Sequence, residues 1–432
     1  MGVLFLAGAL SAGLLCSGCR DGENVSRPGN GSGIKEDSDT VDLIVNGTMQ
    51  AKILYDTDDA SSMTAAYQIN DILKNVTGLP LPYMENVRAD ETVPDDGGVE
   101  ILVGETNRAE SSQLSNDRRD YGIGVINNKV VLFSAIAEGL DKTVEAFEQI
   151  AKQYYDGSSL RLPKDLLIIE NLPLPDLGAA KFTLKPGHQY IGYVKTLFEY
   201  DVYDGHAIVE GGTFDGTYYY TAMIDHTADP ETTYLFKFDL RGNLVAQSPK
   251  LALDHANDIT YVKKWNALLV SHCQSTDGHY SRYSLVNPDT FAVTKMEDLP
   301  NPFFGMGYCE QRDSFASARW EGETIDLWNG DLSHRQSFSV NTPPGTSQGV
   351  AADANYLYFV RCNPNSVEVY DWDGNHAFNI LLNTLMGEPE HISIVDGVMY
   401  IGGNNSTWTG GHFSYVELAD VTGNSAADAK TP

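Results

Sequence analysis

Residues 235–245 read LFKFDLRGNLV, and residues 367–378 read VEVYDWDGNHAF. In both stretches an aromatic residue precedes an Asp, and a Gly-Asn pair follows after two more residues. Apolar runs on both sides of such turn-forming residues predict two antiparallel strands joined by a tight turn. The two aspartates, Asp239 and Asp371, are 132 residues apart, which is three steps of 44. The sequence therefore predicts a repeat of about 44 residues that contains this element.

Further copies of the repeat surround these two. The same strand–turn–strand pattern stands at residues 283–291 (YSLVNPDTF) and 325–332 (IDLWNGDL). A pair of mostly polar or turn-forming residues opens each repeat. The second residues of these pairs are Gly216, Asp258, Met306, Gly349 and Glu390. Successive members of this series are 42, 48, 43 and 41 positions apart. A strand follows each pair, with the sequences YYYTAM, ALLVSH, SFASAR, YLYFVR and VMYIGG. Four-stranded repeats of about 40–45 residues are typical of a β-propeller.

Residues 186–425 are therefore expected to form a β-propeller of five blades, with six as the alternative. The five-blade and six-blade interpretations differ in where they place residues 197–206 (LFEYDVYDGH), which either complete the last blade or belong to a sixth blade. We expect the ring to close, because an open array would leave an exposed sheet edge. A two-sheet β-sandwich is the main alternative fold.

Residues 41–172 instead combine helix and strand patterns. Residues 64–76 (TAAYQINDILKNV) have apolar side chains at helical spacing, and Thr77-Gly78 is expected to end that helix. A second helix is predicted over 140–154, a buried strand over 101–104 and a hairpin over 123–133. The chain is thus expected to be a multidomain α/β plus all-β protein: a small α/β sandwich domain, a proline-containing linker at 173–185, and the propeller.

The α/β region resembles a known accessory domain. The matching segments are TGLPLP (77–82), ILVGETNR (101–108), the hairpin at 121–134 and AFEQIAKQY (146–154). They are similar to the non-catalytic α/β domain that precedes the catalytic barrel in family 20 β-hexosaminidases, α-glucuronidases and related glycosidases. The resemblance implies a glycan-related setting. It supplies no catalytic site, because no alternation of strands and helices follows residue 180. Arg108 is expected to pair with Glu105 or another nearby acid, with an anion-binding role as the alternative.

The N-terminal residues predict export. Residues 3–15 are almost wholly apolar, yet a spanning helix needs about 20 such residues. They fit the apolar core of a secretory signal over residues 1–19, although no basic residue precedes Arg20. Ser17-Gly18-Cys19 resembles a lipobox, which implies lipidation of Cys19. Residues 20–40 are polar and predict a flexible tether, and residues 426–432 a disordered tail. The sequence thus predicts a protein that is lipid-anchored at a bacterial cell surface.

Composition limits the partners. Asp and Glu total 59 against 29 Lys and Arg, so the net charge is −30. Such a chain repels nucleic acids and other polyanions, so the sequence predicts no nucleic-acid partner and disfavours teichoic-acid-like polymers unless a metal ion bridges them. We expect a monomer. Cys273, Cys309 and Cys362 show no metal-site spacing and are expected to be buried thiols, with one disulfide among them as the alternative.

Candidate site residues come from the loops that precede the innermost strands, since a propeller brings those loops together at a central funnel. The candidates for ligand binding are Asp215, His255, Asn257, Asp258, Gln348, Glu390 and Trp408. Those for catalysis are His255, Asp258, Glu388, Glu390 and His391. Asp258, Glu388 and Glu390 are candidate ligands of a calcium ion. The structural alternative is that these residues cap strand ends.

The first functional hypothesis is a non-enzymatic, membrane-anchored binding protein for a glycan, with Trp408 able to stack on a sugar ring. The second is a carbohydrate-active enzyme using the same funnel. Paired carboxylates would serve a glycoside hydrolase, and His255 or His391 beside a carboxylate would serve a polysaccharide lyase. The third is a scaffold that joins a surface complex through its outer strands.

Overall fold

The computed structural model describes residues 39–422 except 58, 81, 87–93, 96, 115–117, 202–206, 226–231, 274–279, 320–322, 342–344, 384–386, 406–407 and 409. The segment with Cys19, most of the tether and the C-terminal tail lie outside the described residues. From Thr40 onward the described residues form one compact unit. Within them, no helix combines the length and apolar character that a membrane crossing requires.

The first part of this unit is an α/β layer structure. Its helices are α1 (Ala60–Thr77) and α2 (Ala137–Tyr154). Its strands are β1 (Thr40–Val45), β2 (Thr48–Met49), β3 (Ala51–Tyr55), β4 (Met84–Asn86), β5 (Val99–Val103), β6 (Asp120–Ile126), β7 (Lys129–Ser134), β8 (Leu160–Pro163) and β9 (Leu167–Asn171). They form a six-stranded mixed sheet in the order β4-β3-β5-β7-β6-β9 and a three-stranded sheet in the order β2-β1-β8.

Helix α1 begins four residues earlier than its apolar spacing predicts. The Asp59 side chain accepts a hydrogen bond from the Ser61 amide and caps the first turn, whose outward side chains carry no apolar signal. The helix ends as expected at Gly78, whose φ of 70° is left-handed and whose N–H donates to the Lys74 carbonyl. Ile69 and Leu73 are fully buried on its inner face.

A buried ion pair lies in the six-stranded sheet. Arg108 donates from Nε to Glu100 Oε2 at 2.9 Å and from Nη2 to Glu100 Oε1 at 2.8 Å. Both side chains are at most 4% exposed, and Lys52 Nζ lies 3.3 Å from the same carboxylate. The expected acidic partner of Arg108 is therefore Glu100. The pKa of Arg108 is raised, chiefly by these hydrogen bonds.

The second part of the unit is all β. Its strands are β10 (Tyr190–Asp201), β11 (Ala207–Phe214), β12 (Tyr218–Asp225), β13 (Thr232–Asp239), β14 (Leu244–Gln247), β15 (Asp258–Val262), β16 (Ala267–Ser271), β17 (Arg282–Val286), β18 (Val293–Asp298), β19 (Gly305–Cys309), β20 (Ser314–Ala318), β21 (Thr324–Asn329), β22 (His334–Ser339), β23 (Thr346–Ala352), β24 (Tyr356–Cys362), β25 (Ser366–Asp371), β26 (His376–Asn383), β27 (Pro389–Val395), β28 (Val398–Asn404) and β29 (Gly410–Asp420).

These strands form five groups of four. Groups 1, 2 and 3 are the separate antiparallel sheets β11–β14, β15–β18 and β19–β22. Group 4 is β23–β26, and group 5 is β27, β28, β29 and β10, joined into one eight-stranded sheet. Strand β10 pairs antiparallel with β29, and parallel with β26 over Ile191–Tyr193. Residues 197–201 thus lie in the strand that completes group 5.

The first strands of the groups contact one another in a closed ring, in the order β11, β15, β19, β23, β27 and back to β11. Apolar clusters fill the spaces between neighbouring groups. Tyr220 and Leu235 of group 1, for example, pack against Leu268 and Val270 of group 2. A ring of antiparallel four-stranded sheets is the architecture of a β-propeller and not of a two-sheet sandwich.

The repeated turn has the same hydrogen bonds in both copies. Asp239 Oδ1 accepts from the Arg241 and Asn243 amides, and its Oδ2 accepts from the Asn243 side chain. Asp371 binds Asp373 and Asn375 in the same way. Gly242 and Gly374 have φ of 85° and 83°, which explains the glycine in each copy. Each turn joins the third and fourth strands of its group.

Candidate functional site at the ring axis

The five first strands run in the same direction around the ring axis. Gly211 of β11 lies against the backbone of Asp258 in β15, and Gly349 of β23 lies against His391 in β27. We call the face of the ring where these strands begin the upper face, and the face where they end the lower face. The sequence candidates other than Asp215 lie on the upper side.

Asp258 lies at the centre of the ring and connects three first strands. Its Oδ2 accepts from the Met306 amide at 3.0 Å and from the Val350 amide at 3.1 Å, and its Oδ1 accepts from the Ile259 amide at 3.0 Å. The residue is 1% exposed. Burial raises the pKa of its carboxyl well above the usual range, against the opposing effect of the three amides. Both oxygens are used by the backbone, so Asp258 acts as a strut of the ring.

Three other carboxylates gather above Asp258. Glu210 Oε2 lies 3.3 Å from His255 Nε2. Glu390 Oε1 accepts from Asn404 Nδ2 at 2.8 Å, and Glu388 Oε1 accepts from Gln348 Nε2 at 2.5 Å. We call the carboxylates of Glu210, Glu388 and Glu390, together with the Cys362 thiol, the upper cluster.

Charge repulsion within the upper cluster affects Glu390 most. Burial raises the pKa of its carboxyl well above the usual range, and the charges of Glu210 and Glu388 raise it further. The Cys362 thiol donates to Glu388 Oε1 at 2.7 Å, and its pKa is raised to about 12, by burial first and by this carboxylate second. Cys362 is thus a buried, protonated thiol, and Cys273 and Cys309 are also buried.

His391 lies beneath the upper cluster in a buried chain of hydrogen bonds. Its Nδ1 lies 3.2 Å from the Glu210 carbonyl oxygen, which can only accept, so Nδ1 carries the proton. Its Nε2 therefore accepts from the Tyr219 hydroxyl at 2.9 Å, and that hydroxyl lies 3.0 Å from Tyr200. Burial lowers the pKa of His391 to about 3. Both ring nitrogens are occupied, which leaves no position for a base in catalysis.

We expect the cost of the His391→Gln substitution to be smaller at pH 4.5 than at pH 7.5. Folded His391 stays neutral down to about pH 3, whereas an unfolded His takes up a proton below about pH 6.5. Its contribution to the free energy of unfolding is therefore complete above about pH 6.5 and falls by about 2–3 kcal/mol at pH 4.5. Urea denaturation of both proteins at both pH values measures this change. A pH-independent difference would show that His391 titrates alike in the folded and unfolded protein, which would contradict a buried ring that stays neutral.

Two further candidates differ in their exposure. Asn257 is 2% exposed, and its amide points at the Phe304 carbonyl at 3.4 Å, which fits a structural role. Trp408 is 52% exposed and lies in the connection from β28 to β29. Strand β28 ends at Asn404, whose side chain contacts Glu390, so Trp408 lies at the same face as the upper cluster.

Asp215 does not join the other candidates. It follows β11, about 13 Å along the strand from Gly211 at roughly 3.3 Å per residue, and lies at the lower face. Its Oδ1 accepts from the Thr217 and Tyr218 amides at 2.7 Å, and its Oδ2 accepts from the Tyr220 hydroxyl. It therefore caps the turn between the first two strands. A lower-face cavity of about 750 Å³ lies beside it, lined by residues of all five groups.

The first repeat was placed in the wrong register, and Glu210 was missed as a result. Only Thr217 separates Gly216 from the strand YYYTAM, which leaves no room for a first strand. The preceding segment AIVEGGTF (207–214) is that strand, and its Glu210 occupies the level of Asp258 and Glu390. The spacing within the repeat could have shown this. No sequence signal marks Cys362 or Asn404, since both enter the cluster from second strands.

Within the described ranges, no group of three or more His, Cys, Asp or Glu side chains is arranged to hold a metal ion. Calcium at Asp258, Glu388 and Glu390 stays a prediction of the sequence. Backbone amides already occupy three of the four acceptor positions of Asp258, which is 1% exposed.

No protein-family profile matches the chain, and no curated protein matches it. Solved structures match parts of it. The streptogramin B lyase structure is 12% identical with a TM-score of 0.32, over 53% of this chain and 98% of that one. A chain of the nidogen/laminin complex is 12% identical with a TM-score of 0.34, over 50% and 87%. The RRP9 WD40 repeats are 9% identical with a TM-score of 0.32, over 48% and 62%. Similarity at this level says nothing about what the chain binds or does.

Proposed function

We propose that the protein is an exported, lipid-anchored receptor that binds a glycan at the upper face of a five-bladed propeller. The observation that carries the proposal is the exposed indole of Trp408 at the same face as the upper cluster. A sugar presents an apolar ring face, which stacks on an aromatic side chain, and hydroxyl groups, which donate to carboxylates. Glu388 and Gln348 supply such polar partners, while Asp258 supports the ring beneath them.

The rest of the chain is consistent with this role. Lipidation of Cys19 and a tether to residue 40 would hold the domains beyond the membrane surface. The resemblance of residues 41–172 to a glycosidase accessory domain implies a glycan-related setting, which supports the proposal. The net charge of −30 disfavours polyanionic glycans, so the ligand is neutral or cationic.

The test is binding of the full-length protein to a glycan panel, with calcium and then with EDTA. We expect one class of oligosaccharide to bind, and the Trp408→Ala variant to bind it about fivefold to thirtyfold more weakly, because stacking on an exposed indole contributes about 1–2 kcal/mol. The control is Tyr83→Ala, which removes a 69% exposed aromatic ring from the α/β part. Binding to no glycan under either condition would overturn the proposal and favour a scaffold role.

A carbohydrate-active enzyme is the second candidate, and the environment of Glu390 favours it. A carboxyl whose pKa is raised by burial and by two neighbouring carboxylates has the protonation state of a general acid. The measurement is product release from the glycans that bind, compared between wild type and the Glu390→Gln variant. Turnover that the variant loses, with binding retained, would establish hydrolysis or elimination at this face. Binding without turnover would establish the receptor.

A further inference from the structure

The turn between β13 and β14 connects group 1 to the α/β part. The amide of Arg118, two residues before β6, donates to Asn243 Oδ1 at 3.1 Å. Arg241 Nη2 donates to the side-chain oxygen of Asn171, the last residue of β9. Asn243 is itself oriented by Asp239, whose Oδ2 accepts from its side-chain amide at 3.0 Å. This copy of the repeated turn therefore binds the start of β6 and the end of β9, and we call these contacts the junction.

Arg119 fixes the segment that leaves the α/β part. Its guanidinium donates from Nε to the Leu172 carbonyl at 3.3 Å and from Nη2 to the Pro173 carbonyl at 2.8 Å. Its Nη1 lies 3.5 Å from the Leu197 carbonyl of β10, in the propeller. The residue is 5% exposed, and its own carbonyl accepts from the Leu172 amide at 2.9 Å. Because the guanidinium is a rigid planar fork, it restricts rotation of the chain that it binds.

The linker at residues 173–185 is packed against the propeller. Ala180 belongs to the apolar cluster between groups 5 and 1, and Leu184 belongs to the cluster between groups 4 and 5. Between them, the Phe182 amide donates to the Gly397 carbonyl at 3.0 Å. Mobile segments have few buried apolar contacts, whereas this segment has several within a few residues. The linker is therefore part of the propeller surface and does not act as a hinge.

The junction lies at the lower face of the propeller. Strand β11 ends at that face, and β13 runs in the same direction, because both pair antiparallel with β12. The turn that follows β13 is therefore at the lower face. The linker contact at Gly397 lies there as well, since Gly397 lines the lower-face cavity.

The tether is attached at the opposite end of the α/β sheet. Thr40 lies opposite Pro163, and the Pro163 carbonyl accepts from the Leu166 amide at 3.1 Å. The Leu166 carbonyl in turn accepts from the Val125 amide of β6 at 3.0 Å. Val125 is five residues from Asp120, the end of β6 at the junction, and this separation is about 17 Å along a strand. The chain therefore enters at one end of the sheet and continues to the propeller at the other.

We propose that the α/β part is a rigid spacer, which is fixed to the lower face of the propeller and separates the upper face from the membrane anchor. This role rests on the proposed function, because it takes the lipid at Cys19 and a ligand at the upper face as given. A flexible junction would let the upper face turn toward the membrane, where a large glycan could not reach it. The rigid junction keeps Thr40 and the upper face at opposite ends of the molecule.

Hydrogen–deuterium exchange of the full-length protein tests the rigid junction without a ligand or a membrane. The Leu172 and Phe182 amides donate to backbone carbonyls, so we expect them to exchange about a hundredfold or more slowly than in an unstructured peptide of the same sequence. Arg119→Ala should accelerate exchange in peptides over residues 172–184 by about tenfold or more. Arg119→Lys should have the same effect, since an ammonium group does not replace the fork.

The control is Arg161→Ala, which removes a partly exposed arginine of the α/β part and should leave exchange in residues 172–184 unchanged. Exchange of the wild-type linker at the rate of an unstructured peptide would overturn the rigid junction. The same conclusion would follow if Arg119→Ala and Arg161→Ala left the linker equally protected.

Energy transfer to a labelled membrane tests the spacer. Full-length lipidated protein is bound to phosphatidylcholine vesicles that carry an acceptor dye on their headgroups. A donor dye is placed on a cysteine introduced at Thr346, where β23 starts at the upper face, or at Asp373, in the turn after β25 at the lower face. Both positions are exposed and belong to group 4, and the cysteines of the described chain are buried and stay unlabelled.

We expect more energy transfer from the Asp373→Cys protein than from the Thr346→Cys protein, because the lower face lies nearer the anchor. Equal transfer, or more from Thr346→Cys, would overturn the spacer role. Failure of the lipidated protein to bind vesicles would overturn the lipid anchor of the proposed function, and the spacer role with it. The exchange experiment decides the rigid junction separately, so the two failures can be told apart.

Discussion

We expect the Asp258→Ala variant to lose about 3–5 kcal/mol of free energy of unfolding. The substitution leaves the amides of Ile259, Met306 and Val350 without an acceptor at the ring axis. Each buried amide without a partner costs about 1–3 kcal/mol. Part of this is offset, because burying the carboxyl itself is unfavourable, as its raised pKa shows. The net loss is still large, since three of the five first strands depend on the same side chain.

Chemical denaturation with guanidinium chloride measures the loss. The Asp373→Ala variant is the control, because that aspartate is exposed and its substitution should cost less than about 0.5 kcal/mol. Asp258→Asn should lie between wild type and Asp258→Ala, since the amide keeps one oxygen toward the backbone donors. If Asp258→Ala were as stable as the control, the carboxylate would not support the ring, and a ligand role for it would return.

The second large effect is expected at the buried ion pair of the α/β part. Arg108→Ala should cost about 3–5 kcal/mol, because it removes the two charge-assisted hydrogen bonds that the buried Glu100 carboxylate receives. The double variant Arg108→Met/Glu100→Leu should recover most of this loss, since neither member of the pair then leaves an uncompensated buried charge. The matched control is Arg161→Ala, whose partly exposed pair with Asp42 should contribute less than about 1 kcal/mol. Thermal and chemical denaturation of all four proteins distinguish these outcomes. Equal losses for Arg108→Ala and Arg161→Ala would show that the buried pair has no special role.

The sequence predicted those parts of the fold that local chemistry determines. The Asp239 and Asp371 turns, the end of α1 at Gly78 and the YYYTAM-type second strands follow from residues close to one another in the chain. The start of α1 was missed because the Asp59 cap carries no apolar signal. The sequence did not decide the role of β10. This strand precedes the other three strands of group 5 by almost 200 residues, and no local pattern encodes a pairing over such a distance.

The candidate site was harder to predict for a geometric reason. A polar residue near the start of a first strand can point up toward a ligand or inward at the ring axis, and one residue along the strand changes which it does. Asp258 points inward and accepts hydrogen bonds from backbone amides. Glu388, nearer the surface, accepts a hydrogen bond from the side-chain amide of Gln348. The residue types alone do not distinguish these carboxylates. Glu210 was not predicted because the first repeat was assigned the wrong register, which selected Asp215 at the lower face in its place.

The position of the ligand tests the central claim most directly. We would measure hydrogen–deuterium exchange of the full-length protein with and without the tightest-binding oligosaccharide. The proposal predicts protection in peptides that cover residues 345–348, 387–391 and 404–408, with no change at the lower face. Protection confined to residues 215–217, 261–263 and 394–397, which line the lower-face cavity, would contradict it and place the ligand at the opposite end of the ring.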